Sequence, residues 1–171
     1  MKVFSSIFIL FILNCVSPSV DKADFTVKRK SNAKPIDSVI QIPFTTGKEN
    51  LYLTHVELTH GIRDSIIGSG LFERIGQDGT EVWKLETEIL DMNEPMVGLD
   101  FNIIISAKFK LTKQNQIVNE FSINAKGMAT VSDEFVAVSR LKLAYSRAAE
   151  NLISQLLDEI QKIRTNSNKK K

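Results

Sequence analysis

One acidic segment of the sequence carries the residue types that acid–base chemistry needs. Glu86, Glu88, Asp91 and Glu94 follow one another closely. Glu86 and Glu88 are two residues apart, so on a β-strand both side chains project from the same face. Such a pair could bind a cation or act as acid and base, provided that burial shifted one pKa. The polar residues around them favour a solvated strand face instead, so we expect no catalytic residues here.

The histidines offer a second possibility, a metal site. There are two, His55 and His60, and His60 lies four residues before Asp64. On a helix that spacing puts both side chains on one face, but two ligands do not make a metal site, and we expect a surface hydrogen-bonding pair. The sequence has no H-E-x-x-H, G-x-S-x-G or phosphate-loop motif. It therefore predicts neither an enzyme, nor a metal site, nor a cofactor.

The only cysteine, Cys15, follows a leader sequence. Lys2 provides a positive start, and the run from Val3 to Leu13 is apolar except for two serines. Such a run is too short to span a bilayer, which takes about 20 residues, and is typical of a signal peptide. No later segment of the sequence is long and apolar enough to span, so we expect an exported protein whose body is soluble.

The residues before Cys15 carry a resemblance. Ile12-Leu13-Asn14-Cys15 resembles a bacterial lipobox, whose cysteine is diacylated and becomes the first residue of the mature chain. Leu13 and Asn14 stand where the common form has small residues, which is more similar to the looser lipoboxes of spirochaete lipoproteins. The resemblance implies lipid attachment at Cys15 and a stable membrane anchor, since several acyl chains hold far better than one.

Two further observations bear on where the chain would go. Neither Val16 nor Ser17 is an acidic residue of the kind associated with inner-membrane retention. This favours an anchor in the outer membrane, with the protein facing the periplasm or the cell surface. In the alternative interpretation Cys15 is incidental, cleavage occurs near Ser17 or Ser19, and the protein is secreted.

Composition limits the partners and the number of domains. The chain has 171 residues, of which 43% are hydrophobic and 25% charged, and a net charge of +2. These values are ordinary for one globular domain and give no indication of nucleic acid as a partner. We expect a signal peptide over residues 1–14, a lipid-anchored flexible tether over 15–37, a single domain over 38–164 and a basic disordered tail over 165–171.

Hydrophobic periodicity predicts the elements of that domain. In order they are a strand ending at Pro43, a helix from Glu49 to Ile67, a hairpin of strands 71–75 and 81–90, a long antiparallel hairpin of strands 101–111 and 117–131, and a helix that Ser132 caps. Two amphipathic helices and a half-polar sheet predict an α+β fold: a two-layer sandwich, with an antiparallel sheet of about five strands and two helices on one face.

The polar face of the long hairpin is the one candidate partner surface. Its residues alternate with the apolar ones and are Asn102, Ser106, Lys108, Lys110, Ser122, Asn124 and Lys126. They could meet a glycan, a phosphate or a protein, or form an ordinary wet sheet face.

The order of the elements carries a second resemblance. One of its features is a helix that ends in Gly68-Ser69-Gly70 and runs into a strand. It is similar to the lipopolysaccharide-assembly lipoprotein that plugs an outer-membrane barrel, and to related accessory lipoproteins. The resemblance implies a binding or assembly role, with an envelope protein or glycolipid as partner and no catalytic residues. The alternative is a soluble exported carrier that holds a small apolar ligand between sheet and helices.

Overall fold

Six strands and two helices make up the part of the chain that the structure, a computed structural model, describes: residues 25–28, 36–76, 83–93 and 99–168. The elements are β1 (Ile36–Gln41), β2 (Thr46–Gly47), α1 (His55–Ser69), β3 (Phe72–Ile75), β4 (Trp83–Met92), β5 (Phe101–Lys113), β6 (Gln116–Ala129) and α2 (Ala137–Asn168).

The strands form one mixed sheet in the order β3-β1-β4-β5-β6, and the short β2 also pairs with β4. The pairs β4–β5 and β5–β6 are antiparallel, whereas β1 is parallel to both of its neighbours and β2 is parallel to β4. The α+β expectation is confirmed. The expectation of a purely antiparallel sheet of about five strands is wrong, because the sheet has six strands and parallel pairs.

The error lies in the hairpin expected between β3 and β4. Strand β1 lies between these two strands, with Ile40 opposite both Ile75 of β3 and Trp83 of β4. Helix α1 joins β1 to β3, and a crossover of this kind is what allows two strands to pair in parallel. Turn residues show where a chain reverses, but they do not show which strand will lie beside which.

The long hairpin of β5 and β6 is confirmed. Gln114 and Asn115 form its turn, both with positive φ (50° and 62°), as a two-residue hairpin turn of type I′ requires. The apolar residues of β5 that alternate along the strand are all buried: Phe101, Ile103, Ile105, Ala107, Phe109 and Leu111. Two apolar residues that were expected on the buried face of β6 are exposed instead: Ile117 at the start of the strand and Val131 just beyond its end.

Helix α1 begins at His55 rather than at Glu49. The side-chain oxygen of Asn50 accepts hydrogen bonds from the amides of Tyr52 and Leu53 (2.9 and 3.0 Å), so the preceding residues form a turn. Thr54 then caps the helix in a reciprocal pair with Glu57. The residues just before the expected helix, Thr46 and Gly47, form the short strand β2.

Helix α2 begins at Ala137, and Ser132 does not cap it. The carboxylate of Asp133 accepts hydrogen bonds from the amide and hydroxyl of Thr130 (2.8 and 2.9 Å), and this closes a turn before the helix. The helix continues to Asn168, so residues 165–168 are helical rather than part of a disordered tail. The expected basic end at 169–171 lies outside the described residues.

Both helices cover the same face of the sheet. The buried side chains of α1, α2 and the apolar strand positions form one cluster. At Gly127 of β6 the backbone of α2 lies so close that an added Cβ would be 2.2 Å from the carbonyl oxygen of Ala144. Helix and strand therefore touch backbone to backbone at this point, and glycine is the residue that permits it.

The segment 25–28 is held by the domain, contrary to the expectation that it belongs to a flexible tether. The Phe25 side chain is 1% exposed and lies on Gly61 of α1. The amide of Val27 donates to the hydroxyl of Ser65 (2.9 Å). The other residues assigned to the leader and the tether, including Cys15, lie outside the described residues.

The contact at Gly127 gives a stability prediction. Gly127→Ala should lower the free energy of unfolding by about 1–3 kcal/mol, because the new methyl group has no space against the α2 backbone. Urea denaturation of both variants measures it, with Gly68→Ala as the control. A Cβ at exposed Gly68 meets no atom within 4 Å, so this helical substitution should stabilise by about 0.5–1 kcal/mol. Equal effects of the two substitutions would contradict the close helix–strand contact.

Candidate functional site: the outer face of the sheet

The face of the sheet opposite the helices, here called the outer face, carries all seven residues of the expected partner surface. Pairing in the β5–β6 hairpin sets them side by side, with Ser106 opposite Asn124 and Lys108 opposite Ser122. Every one of them is exposed or half-buried: Asn102, Ser106, Lys108, Lys110, Ser122, Asn124 and Lys126. The structure therefore places them on one solvent-facing surface.

Strand β4 adds acidic residues to the outer face. Glu86 lies opposite Lys110, and Glu88 lies opposite Lys108. Glu86 and Glu88 thus share one surface with the lysines of the hairpin. Pairing between strands that are distant in sequence creates this arrangement, so only the register of β4 against β5 could have revealed it.

Five charged side chains of this surface form ion pairs. A carboxylate oxygen of Glu86 lies 2.6 Å from the Nζ atom of Lys84, and its other oxygen lies 3.4 Å from that of Lys110. Lys108 contacts Glu120 of β6 at 2.7 Å. We call these five residues the charge lattice. A phosphate-rich polyanion would need a basic patch. This surface is not one, since its positive and negative groups alternate.

The charge lattice holds its acids in the ionised form. The hydrogen bond from Lys84 is the largest cause of the lowered pKa of Glu86. Burial opposes it, and the charges of Lys84 and Lys110 lower this pKa further. The hydrogen bond and charge of Lys108 lower the pKa of Glu120, and the same contact raises the pKa of Lys108. A general acid at neutral pH needs a raised pKa. Glu86 and Glu120 therefore do not have the protonation behaviour of a general acid.

A groove crosses this surface. Its volume is about 410 Å³, and its walls come from the segment after β1 and from strands β4, β5 and β6. The lining residues are Pro43, Phe44, Thr46, Lys84, Glu86, Thr87, Glu88, Lys108, Lys110 and Glu120. The groove is therefore a mixed site, in which one aromatic wall faces a floor of paired charges.

The aromatic wall is held in place by the chain on both sides of it. Before Phe44, Pro43 follows the end of β1, where its missing amide proton prevents further pairing. After it, Thr45 is buried and its amide donates to the hydroxyl of Thr59 (2.8 Å). Phe44 itself is 57% exposed, with the guanidinium of Arg63 5.3 Å from its ring centre. The site thus presents a fixed, exposed aromatic ring.

The other candidate residues do not gather into a site. His60 and Asp64 both lie on α1, while His55 at its start contacts Glu49 at 3.3 Å. Within the described ranges, no three His, Cys, Asp or Glu side chains are grouped so that they could hold a metal ion. Asp91 pairs with Lys48 at 2.6 Å, away from the charge lattice, and Glu94 lies outside the described residues.

Comparison with solved structures shows which proteins share this fold. A protein of the DUF330 family from Xanthomonas campestris superposes with a TM-score of 0.61 at 8% identity, over 84% of this chain and 96% of its own. A minor lipoprotein from Acinetobacter baumannii gives 0.52 at 10% identity, over 76% and 95%. Rare lipoprotein B from Shewanella oneidensis gives 0.50 at 14% identity, over 75% and 98%. The fold is shared with bacterial lipoproteins.

At these identities the likeness concerns the fold alone. No family model matches the sequence, and no curated protein matches it. Within the ranges described, neither helix combines the length and the hydropathy of a membrane span.

The charge lattice predicts a pH dependence of stability. The folded-state pKa of Glu86 is below its ordinary value of 4.5. Its ion pairs therefore stabilise the fold at higher pH, and this contribution is lost as the pH falls through the lowered pKa. Glu86→Gln should flatten the fall of the unfolding free energy between about pH 5 and pH 3. The change should stay below about 1 kcal/mol, because the Glu86 side chain is 39% exposed.

Urea denaturation across this pH range measures the effect. Glu73→Gln, which changes an exposed glutamate of β3 outside the lattice, is the matched control. If both substitutions alter the pH profile equally, the lattice does not stabilise the fold.

Proposed function

We propose that this protein is a lipid-anchored, non-enzymatic accessory protein of the bacterial cell envelope, which binds a partner through the outer face of its sheet. The fold shared with bacterial lipoproteins supports this proposal. The leader and Cys15 supply the anchor, and we place that anchor in the outer membrane. The partner is an envelope protein or a glycolipid, and no nucleic acid is involved.

The observation that carries the proposal is the groove on the outer face. One face of the sheet is filled by the helices, whereas the other presents exposed Phe44 beside paired lysines and glutamates. An exposed aromatic ring supplies apolar contact area, and fixed charges supply orientation and specificity. This combination suits recognition of a polar surface, and the lowered pKa values of its acids do not suit acid catalysis.

The alternative, a carrier with a small apolar ligand between sheet and helices, meets an obstacle in the packing. Beside Gly127 the backbones of α2 and β6 are in contact. The side chains next to this contact, such as those of Ala125, Ala144 and Ala148, are fully buried. A ligand at this position would have to separate α2 from the sheet.

The anchor is tested by Cys15→Ala. Wild-type protein should stay with the membrane fraction after an alkaline carbonate wash. The variant should be released at least about tenfold more, because it lacks the acyl chains. Ser17→Ala is the matched control and should stay bound. The intact mass of the mature protein shows the cleavage site and any acyl chains. A Cys15→Ala variant that withstands the wash would contradict the anchor.

The partner surface is tested by photo-cross-linking in cells. A photoreactive amino acid at Ser122 should give a discrete adduct, and the additional change Lys108→Glu should remove it, because that charge reversal breaks the pair with Glu120. The same photoreactive group at exposed Gln155 of α2 should give none.

The matched charge reversal is Lys162→Glu, which breaks an exposed ion pair on α2. It should leave the adduct at Ser122 unchanged. Equal adducts at Ser122 and Gln155, or an adduct that Lys108→Glu leaves intact, would refute the outer face as the binding surface.

A further inference from the structure

One end of the domain carries large apolar side chains on its surface. Phe135 is 86% exposed and Leu99 is 76% exposed. The exposed apolar residues of this end are Leu99, Met128, Val131, Phe135, Val136 and Val138. We call this set the apolar end. It comprises the start of β5, the end of β6 and the loop that leads into α2.

Contacts among these segments place them together. Phe101 at the start of β5 pairs with Ala129 at the end of β6. The guanidinium of Arg140, in the first turn of α2, lies 5.4 Å from the ring centre of Phe101. Arg140 also donates to the carbonyl oxygens of Glu134 and Phe135 (2.7 and 3.0 Å). The loop, both strand ends and the helix start therefore meet around one arginine.

The same contacts fix the backbone of this loop. Arg140 is 4% exposed, so its hydrogen bonds to the loop are shielded from water. Asp133 is tied to the Thr130 amide at 2.8 Å and to the Arg147 guanidinium at 2.8 Å. The backbone on both sides of Phe135 is thus fixed while its side chain stays outside the core. Because Arg147 neutralises Asp133, the loop tip presents apolar surface without an unpaired carboxylate at that residue.

The first described segment of the chain, residues 25–28, runs away from this end of the domain. Helix α1 starts here, since Asn50 donates to the hydroxyl of Tyr145 in α2 (2.8 Å) and Tyr52 stacks on the same ring. Phe25 lies on Gly61, and Val27 bonds to Ser65, one helical turn farther along α1. The segment therefore runs in the direction of α1, and its first residue is the one nearer the apolar end.

The sequence distance to the anchor is short. Cys15 precedes Phe25 by ten residues, which span at most about 35 Å when fully extended. A lipid at Cys15 would therefore keep the bilayer surface within about that distance of Phe25.

We propose that the apolar end inserts into the surface of the lipid bilayer that holds the anchor. This inference rests on the lipid anchor of the proposed function. A bilayer is the occupant that these observations favour, because the apolar side chains lie at the end from which segment 25–28 starts, and Phe25 is only ten residues after Cys15. Insertion would orient the domain so that the long axis of α2 points away from the membrane. The outer face of the sheet would then extend along the same direction as α2.

The test uses the mature chain with Cys15→Ser, which removes both the lipid and the only cysteine. Binding to vesicles of phosphatidylethanolamine and phosphatidylglycerol is measured by flotation. The double variant Phe135→Ser and Val136→Ser should bind at least about tenfold more weakly, because it loses two apolar side chains to bury. The matched control, Ile117→Ser and Val118→Ser, changes an exposed apolar pair at the opposite end and should bind like the parent.

A second readout reports insertion directly. Phe135→Cys and Ile117→Cys, each the single cysteine of its chain, carry an environment-sensitive fluorophore. The label at 135 should brighten and shift to shorter wavelength when vesicles are added, and the label at 117 should not.

Each outcome bears on one proposal. Failure of the parent to bind vesicles, equal loss in both double variants, or an unchanged label at 135 would overturn insertion. A parent that self-associates and a loop variant that is monomeric would assign the apolar end to a second copy, and would overturn it too. Insertion at 135 together with a Cys15→Ala chain that withstands the carbonate wash would leave this inference standing and refute the anchor.

Discussion

The contact between Phe25 and Gly61 is the constraint on which the rest of this account depends. It brings a residue close to the leader into the core, although the composition around it is that of a linker. A Cβ at residue 61 would lie 2.2 Å from the Phe25 ring, so the glycine leaves the space that the ring fills. This contact leaves only ten residues of sequence from Cys15 to the domain, and with the Val27–Ser65 hydrogen bond it sets the direction in which segment 25–28 runs along α1.

The packing of the helices on one face of the sheet determines which residues lie on the other face. Because both helices cover the inner face, the polar positions of β4, β5 and β6 all lie on the outer face, where lysines and glutamates pair across strands. These pairs are exposed and contribute little stability individually. Their regular order instead defines a surface with fixed charges, bordered by Phe44.

Local patterns in the sequence predict those parts of the fold that depend on neighbouring residues. The alternation in β5 and the amphipathic pattern of α2 correspond to buried faces, as at Phe109 and Leu152. Patterns cannot predict pairing at a distance, so the position of β1 between β3 and β4 was missed. They also left the acids of β4 separate from the lysines of β5. The need for glycine at residue 61 does not show in its neighbours along the helix, because its cause lies 36 residues earlier, at Phe25.

A double-mutant cycle at residues 25 and 61 tests the central contact most directly. In the wild-type background Gly61→Ala should lower the free energy of unfolding by about 1–3 kcal/mol, because its methyl group collides with the Phe25 ring. In the Phe25→Ala background the same change should raise it by up to about 1 kcal/mol, since alanine favours the helix and the nearest atom left is the flexible end of the Ile153 side chain, 3.3 Å from the new methyl group. If Gly61→Ala has the same effect in both backgrounds, Phe25 does not pack on α1, and the account of the membrane-facing end fails with it.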